Sequence, residues 1–122
     1  MTTWTAPTPA ALRDTPALYL SAGPLDPQAA VAPEVEVGMV LVEGELYVRS
    51  QRGTTSQWYR AAVSHGSGRV RVAGETVAVR FEPARADVAP AVDAAYRSKY
   101  GSFASFAVGP AARAATLRIW PA

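Results

Sequence analysis

Two stretches of alternating hydrophobicity, each doubling back across a tight turn, constrain this chain more than any other feature. Val35–Val42 places Val35, Val37, Met39 and Leu41 on one face, Glu43–Gly44 turns the chain, and Glu45–Ser50 returns. Gly68–Ala73 and Thr76–Pro83 form a second hairpin across Gly74–Glu75. Val70, Val72, Val77, Val79 and Phe81 then point inward, and Arg69, Arg71 and Arg80 point out as an ordinary solvated sheet face. Hairpins pair antiparallel, because parallel strands need a long crossover. Ala17–Ser21 and Ala115–Trp120 read as two further strands, whereas Gly23–Pro33 holds three of the ten prolines and cannot continue a sheet. Six short strands around one core predict a closed or partly open antiparallel barrel.

The helical signals are fewer. Ser56–His65 carries Trp58, Ala61, Ala62 and His65 at helical spacing, with Gly66 placed to end it. Asp87 is positioned to cap a second helix that tolerates Pro90 in its first turn. Val88, Val92, Tyr96 and Tyr100 form its apolar stripe and Gly101 ends it. Ser102–Gly109 fits either a loop or a short helix. Residues 1–16 carry three prolines and read as an irregular N-terminal arm with at most one helical turn at Ala10–Arg13, leaving residues 17–122 as a single domain. The expected class is mainly β with two or three helices.

At 122 residues the chain is long enough for one core without covalent staples. It has no cysteine, which excludes disulfides, thiolate chemistry and cysteine zinc sites together. One His and scattered acids leave no ligand cluster for a metal. Eleven of the twelve cations are Arg, and Lys99 is the only Lys. A net charge of +2 is too small for a nonspecific nucleic-acid binder. No apolar run approaches the roughly 20 residues of a spanning helix, and the N-terminus does not read as a secretory signal. The expectation is a soluble cytoplasmic protein with no membrane partner. His65, beside Ser64 at a helix end, fits a cap or dipole partner better than a catalytic base.

The richest chemistry lies in Glu45–Ala62, ELYVRSQRGTTSQWYRAA. Arg49 and Ser50 end a strand, Arg52 and Gly53 turn the chain, and a helix N-terminus follows with Trp58 and Tyr59. Such a turn can hold an anion through guanidinium groups and free amides, and can stack a flat ring. The same residues also fit a structural arrangement in which Trp58 is core, Arg60 pairs with a carboxylate and Gly53 merely turns the chain.

These segments resemble a known family. LYVRSQRGTTSQWYRAA, GRVRVAGETVAVRFE, DAAYRSKYG and ARAATLRIWP together resemble a bacterial family of unknown function over essentially the whole chain. More distantly, WYRAAVSHGSGRVRVAGETVAVRFEPA is similar to the segment after the cofactor-binding turn of deazaflavin-dependent nitroreductases, in the group that includes pyridoxamine-phosphate oxidase. That resemblance implies a six-stranded split β-barrel, a homodimer, and FMN or a deazaflavin bound for redox chemistry on a small substrate. It would place Arg49, Ser50, Arg52 and Gly53 at the cofactor phosphate and Trp58 and Tyr59 at its ring. The turn here reads SQRGTTSQ in place of T-G-R-[KR]-S-G, and Ala61 stands where that group has Asn. Neither FMN nor a deazaflavin is favoured over the other. The alternative expectation is a non-enzymatic homodimer that binds a small anionic ligand or a protein partner.

Overall fold

In a computed structural model, which describes residues 4–122, seven strands form one antiparallel sheet in the order β2-β1-β5-β6-β7-β4-β3. They are β1 (Leu18–Ala22), β2 (Val35–Val37), β3 (Met39–Val42), β4 (Glu45–Arg49), β5 (Ser67–Val72), β6 (Glu75–Pro83) and β7 (Thr116–Pro121). Five α-helices accompany them: α1 (Pro9–Asp14), α2 (Gln57–His65), α3 (Ala89–Tyr100), α4 (Ser105–Val108) and α5 (Pro110–Ala114). The first three residues of the expected N-terminal arm lie outside the described residues.

The seventh strand arises because the expected strand Val35–Val42 is broken at Gly38. Its two halves lie at opposite ends of the sheet order, β2 beside β1 and β3 beside β4. One bent segment therefore supplies both edges and brings the sheet round into a nearly closed barrel. Glycine suits the break because a Cβ there would crowd Cζ of Phe106 at 3.0 Å and the Tyr100 hydroxyl at 3.1 Å. Side chains of α3 seal the gap in the ladder: Tyr96 donates to Gly38 O at 3.1 Å, Met39 N donates to the Tyr100 hydroxyl at 2.9 Å, and Lys99 Nζ donates to Met39 O at 2.8 Å. Within the sheet, β7 lies between β6 and β4 and joins the two halves.

The hairpins stand close to their expected places. Glu43 and Gly44 both have positive φ, the requirement of the two-residue turn whose twist matches the strands. The second turn is Ala73–Gly74, one residue earlier than expected, with Val72 paired to Glu75. Leu46, Val48, Val70, Val79, Leu117 and Ile119 fill the interior. The N-terminal arm is less irregular than expected. Thr8 caps α1, and Trp4 and Leu12 are buried in the barrel core, with the Trp4 indole donating to Ile119 O at 3.0 Å.

A second apolar layer lies outside the barrel, where Val40 and Tyr47 meet Val92, Tyr96, Ala104 and Ala107. The Val88–Tyr100 stripe faces this layer as expected. Asp87 does not cap α3. It pairs instead with exposed Arg85, while Val88 occupies the cap position without a side-chain bond. Ser102–Gly109 resolves into a 3-10 turn and α4, and α5 was not anticipated because PAARA lacks a periodic apolar face. Among the described residues no helix is long and apolar enough to cross a membrane.

Candidate functional site

A cleft of about 600 Å³ opens where β4 ends and α2 begins. Its floor and one wall come from Ser50, Gln51 and Arg52, and another wall from Thr55, Ser56, Gln57 and Trp58. Val35 of β2 closes the far side. The volume lies within the range of small-ligand sites. The lining carries one guanidinium, several hydroxyl and amide groups, one indole and no carboxylate.

Local sequence explains the shape. Beyond Arg49 the chain leaves the sheet, and Gly53 reverses it with φ of +83°. A Cβ on Gly53 would also meet Ala111 Cβ at 3.2 Å, so α5 packs directly on this turn. Ser56 caps α2, its hydroxyl accepting from Tyr59 N at 3.3 Å and from the Ser50 hydroxyl at 2.8 Å. With both acceptor positions taken, the Ser56 hydroxyl retains its own hydrogen to donate. The first-turn amides of α2 also point out of the helix at the cleft.

The structure brings together three of the residues expected from sequence, Ser50, Arg52 and Trp58, and separates the other three. Arg52 is exposed at the rim and forms no ion pair among the described residues. Trp58 is half-buried and lines the cleft, touching Tyr59 edge-on at 6.3 Å between ring centroids. Tyr59 itself turns into the barrel core, so it does not line the cleft, and burial raises its phenol pKa. The Gly53 amide is committed to Ser50 O at 3.0 Å and is not left for a phosphate.

Arg49 does not line the cleft. Its guanidinium lies on the α3 side of the sheet and is fully buried. It pairs with Asp93 and donates to Thr116 Oγ1 at 2.9 Å, Ala107 O at 2.8 Å and Ala89 O at 3.3 Å. It also lies over the Tyr96 ring at 5.7 Å. With four of its five N–H donors taken by protein acceptors and no exposed surface, this guanidinium is not presented to a ligand phosphate in the cleft. Alternation along β4 is the reason: Leu46 and Val48 face the barrel, so Tyr47 and Arg49 face the helices. Asp93, buried in α3, also binds Arg113 of α5, at 2.7 Å through Nε. Burial would raise the Asp93 pKa, but the hydrogen bonds from Arg113 and Arg49 outweigh it and hold the carboxyl below its ordinary range.

Sequence reasoning missed Val35, Gln51, Thr55, Ser56 and Gln57 in the cleft and Asp93 behind it. Ser56 was readable as the residue before a helical run. Asp93 lies three residues before Tyr96 and so on the edge of the apolar stripe, where an acid calls for a partner. Nothing local announced Val35, which reaches the cleft only through barrel closure. His65 is exposed at the end of α2. Among the described residues no cluster of three His, Asp or Glu side chains forms a metal site.

A solved structure of a protein of unknown function from Agrobacterium tumefaciens str. C58 shares the fold, with a TM-score of 0.64 at 14% identity over 92% of this chain. The chain spans half the length of that protein. No curated protein matches the sequence. Residues 12–119 match the family described as an uncharacterized protein conserved in bacteria, DUF2255, and the chain belongs to that family.

Proposed function

We propose that the protein binds a small anion carrying a flat ring in the cleft between β2 and the start of α2, and that this ligand is FMN or a deazaflavin used for redox chemistry on a small substrate. The observation that carries the proposal is Arg52, a guanidinium without an ion pair among the described residues, set beside Trp58 in a cleft without carboxylates. Arg52 would hold the phosphate, the Ser56 hydroxyl and the first amides of α2 would donate to it, and Trp58 would wall the ring. The cofactor would supply the redox chemistry when bound, and the chain would position it and exclude water. A homodimer would extend the cleft's walls.

The test is titration with FMN and, separately, a deazaflavin, followed by fluorescence and visible absorbance. Saturable binding is expected. Arg52→Ala should weaken it by about ten- to a hundredfold, the value of a charge-assisted hydrogen bond, without lowering the melting temperature. No saturable binding of either cofactor retires the flavin assignment.

One observation favours a second function. Arg49 is withdrawn into the protein, so a single guanidinium remains where the resemblance implied two. That suits a smaller anion and a non-enzymatic homodimer that binds it or a protein partner. Binding of inorganic phosphate or a small carboxylate at Arg52, with no flavin affinity, would select this function.

A further inference from the structure

Independently of that cleft, the geometry points to Lys99 as a nucleophilic amine that forms an imine with a small aldehyde bearing a carboxylate, the carboxylate being held by Arg13. Lys99 is the sole lysine in a chain whose other eleven basic residues are arginine, so it alone offers a side-chain amine. It stands in a second cleft, of about 380 Å³, formed by α1, β3 and α3. Val40, Leu41 and Ala95 make the apolar lining, and Arg13 and Ser98 make the polar part. Arg13 is exposed and forms no ion pair among the described residues.

The amine is held in a particular way. Its nitrogen donates to two main-chain carbonyls, Met39 O at 2.8 Å and Leu12 O at 3.4 Å, and lies 5.5 Å from the Tyr100 ring centroid. A neutral amine has two hydrogens, and both bonds can be made with them, leaving the lone pair free. Burial pushes the Lys99 pKa down to about 8, against a weaker opposing pull from Asp14. The charged groups nearest in the packed elements are Arg13 and Asp14 of α1. β3 contributes only apolar side chains and carbonyls, and α3 contributes Ser98 and the Tyr100 ring. Roughly a tenth of Lys99 is therefore unprotonated at pH 7, well above an ordinary lysine, and the neutral amine is the nucleophilic form.

The chemistry balances without a further reagent. The Nζ lone pair attacks the aldehyde carbon, a C–N bond forms, and the carbonyl pair moves to oxygen. The carbinolamine oxygen collects the two protons that nitrogen gives up and leaves as water. Amine and aldehyde thus yield imine and one water. Imine formation gives up the bonds to Met39 O and Leu12 O; the single hydrogen of the Tyr100 hydroxyl is shared between Pro16 O at 2.7 Å and Met39 O at 3.1 Å, so it offsets the loss at Met39 O only in part.

The experiment is reductive trapping of the intact protein with glyoxylate and cyanoborohydride, with propionaldehyde as the comparison and peptide mapping of the product. The chain offers only two amines, Lys99 and the α-amino group, so mapping assigns every adduct. The expected result is an adduct at Lys99 that saturates with glyoxylate, forms faster than on N-acetyl-lysine amide, and rises in rate through about pH 8. Arg13→Gln should slow trapping of glyoxylate about tenfold and leave propionaldehyde unchanged, the effect of one lost charge-assisted hydrogen bond. Lys99→Arg should give no adduct beyond the α-amine. An adduct confined to the α-amine in the unsubstituted protein overturns the assignment and leaves Lys99 as a clamp on the broken strand. Equal trapping of the two aldehydes, insensitive to Arg13→Gln, overturns the carboxylate specificity.

Discussion

Replacing Asp93 by Asn tests whether Arg49 belongs to the fold or to a ligand. Among the described residues Asp93 is the only carboxylate paired with two guanidinium groups, one of them, Arg49, fully buried. Asn retains the shape and one acceptor oxygen but removes the charge. Arg49 would keep its bonds to Thr116, Ala107 and Ala89, so the loss is charge compensation together with one strong hydrogen bond. Arg113 is about half exposed and can turn to water, and contributes little to the loss. Breaking a buried pair from one side costs about 3–5 kcal/mol. For 122 residues the entropy of unfolding is about 0.26 kcal/mol/K, so the melting temperature should fall by roughly 12–20 °C. Thermal and urea unfolding, followed by circular dichroism and tryptophan fluorescence, give the two values independently. Arg49→Met/Asp93→Leu should recover much of the loss, with a coupling of about 2 kcal/mol or more in the double-mutant cycle. A fall of less than about 1 kcal/mol for Asp93→Asn would refute the argument. So would an Arg49→Met protein that is fully stable yet unable to bind an anion.

The same carboxyl sets an acid limit. Its folded pKa is lowered below 3.8, so its contribution is complete above that value and is lost as pH falls through the lowered one; urea midpoints below about pH 4 should drop more steeply for the parent than for Asp93→Asn. Gly38→Ala should destabilise by about 1–3 kcal/mol, because its methyl group meets the Phe106 ring and the Tyr100 hydroxyl; in a Phe106→Ala background the loss should shrink, and unchanged additivity would show that the contact is not the cause. Ser56→Ala should cost about 1 kcal/mol by uncapping α2, with hydrogen exchange accelerated at the Tyr59 amide and not in β7.

Period-two patterning and turn chemistry made the barrel readable: the second hairpin, the returning strand of the first, the strand through Leu20 and the strand through Leu117 stand within a residue or two of their expected limits. The break at Gly38 was not readable, because the alternation runs through it unbroken. The crowding at that position comes from the aromatic rings of α3 and α4, distant in sequence. The site shows the same division. Arg52, Ser50 and Trp58 were legible because a strand end, a glycine turn and a helix start are local signals. Where the Arg49 guanidinium goes was not legible, because that depends on Asp93, 44 residues away, and on which face of β4 receives the helices. A guanidinium at a strand end looks the same in sequence whether it meets a ligand or an internal acid.

The position of β7 between β6 and β4 has a consequence for how the protein is made. Take β7 away and the hydrogen-bonded sheet falls into two pieces, β2-β1-β5-β6 and β4-β3. Every other stave leaves the ribosome before the one that joins them. During synthesis the nascent chain therefore carries two unfinished sheets with apolar faces uncovered, and β6 and β4 wait with open edges for a partner still being made. Barrel closure, the buried anchor from Thr116 to Arg49 and the bond from Trp4 to Ile119 all fall in one late event. Closure of the barrel therefore waits for β7, which then locks against the segment of Trp4, the two lying far apart in the sequence.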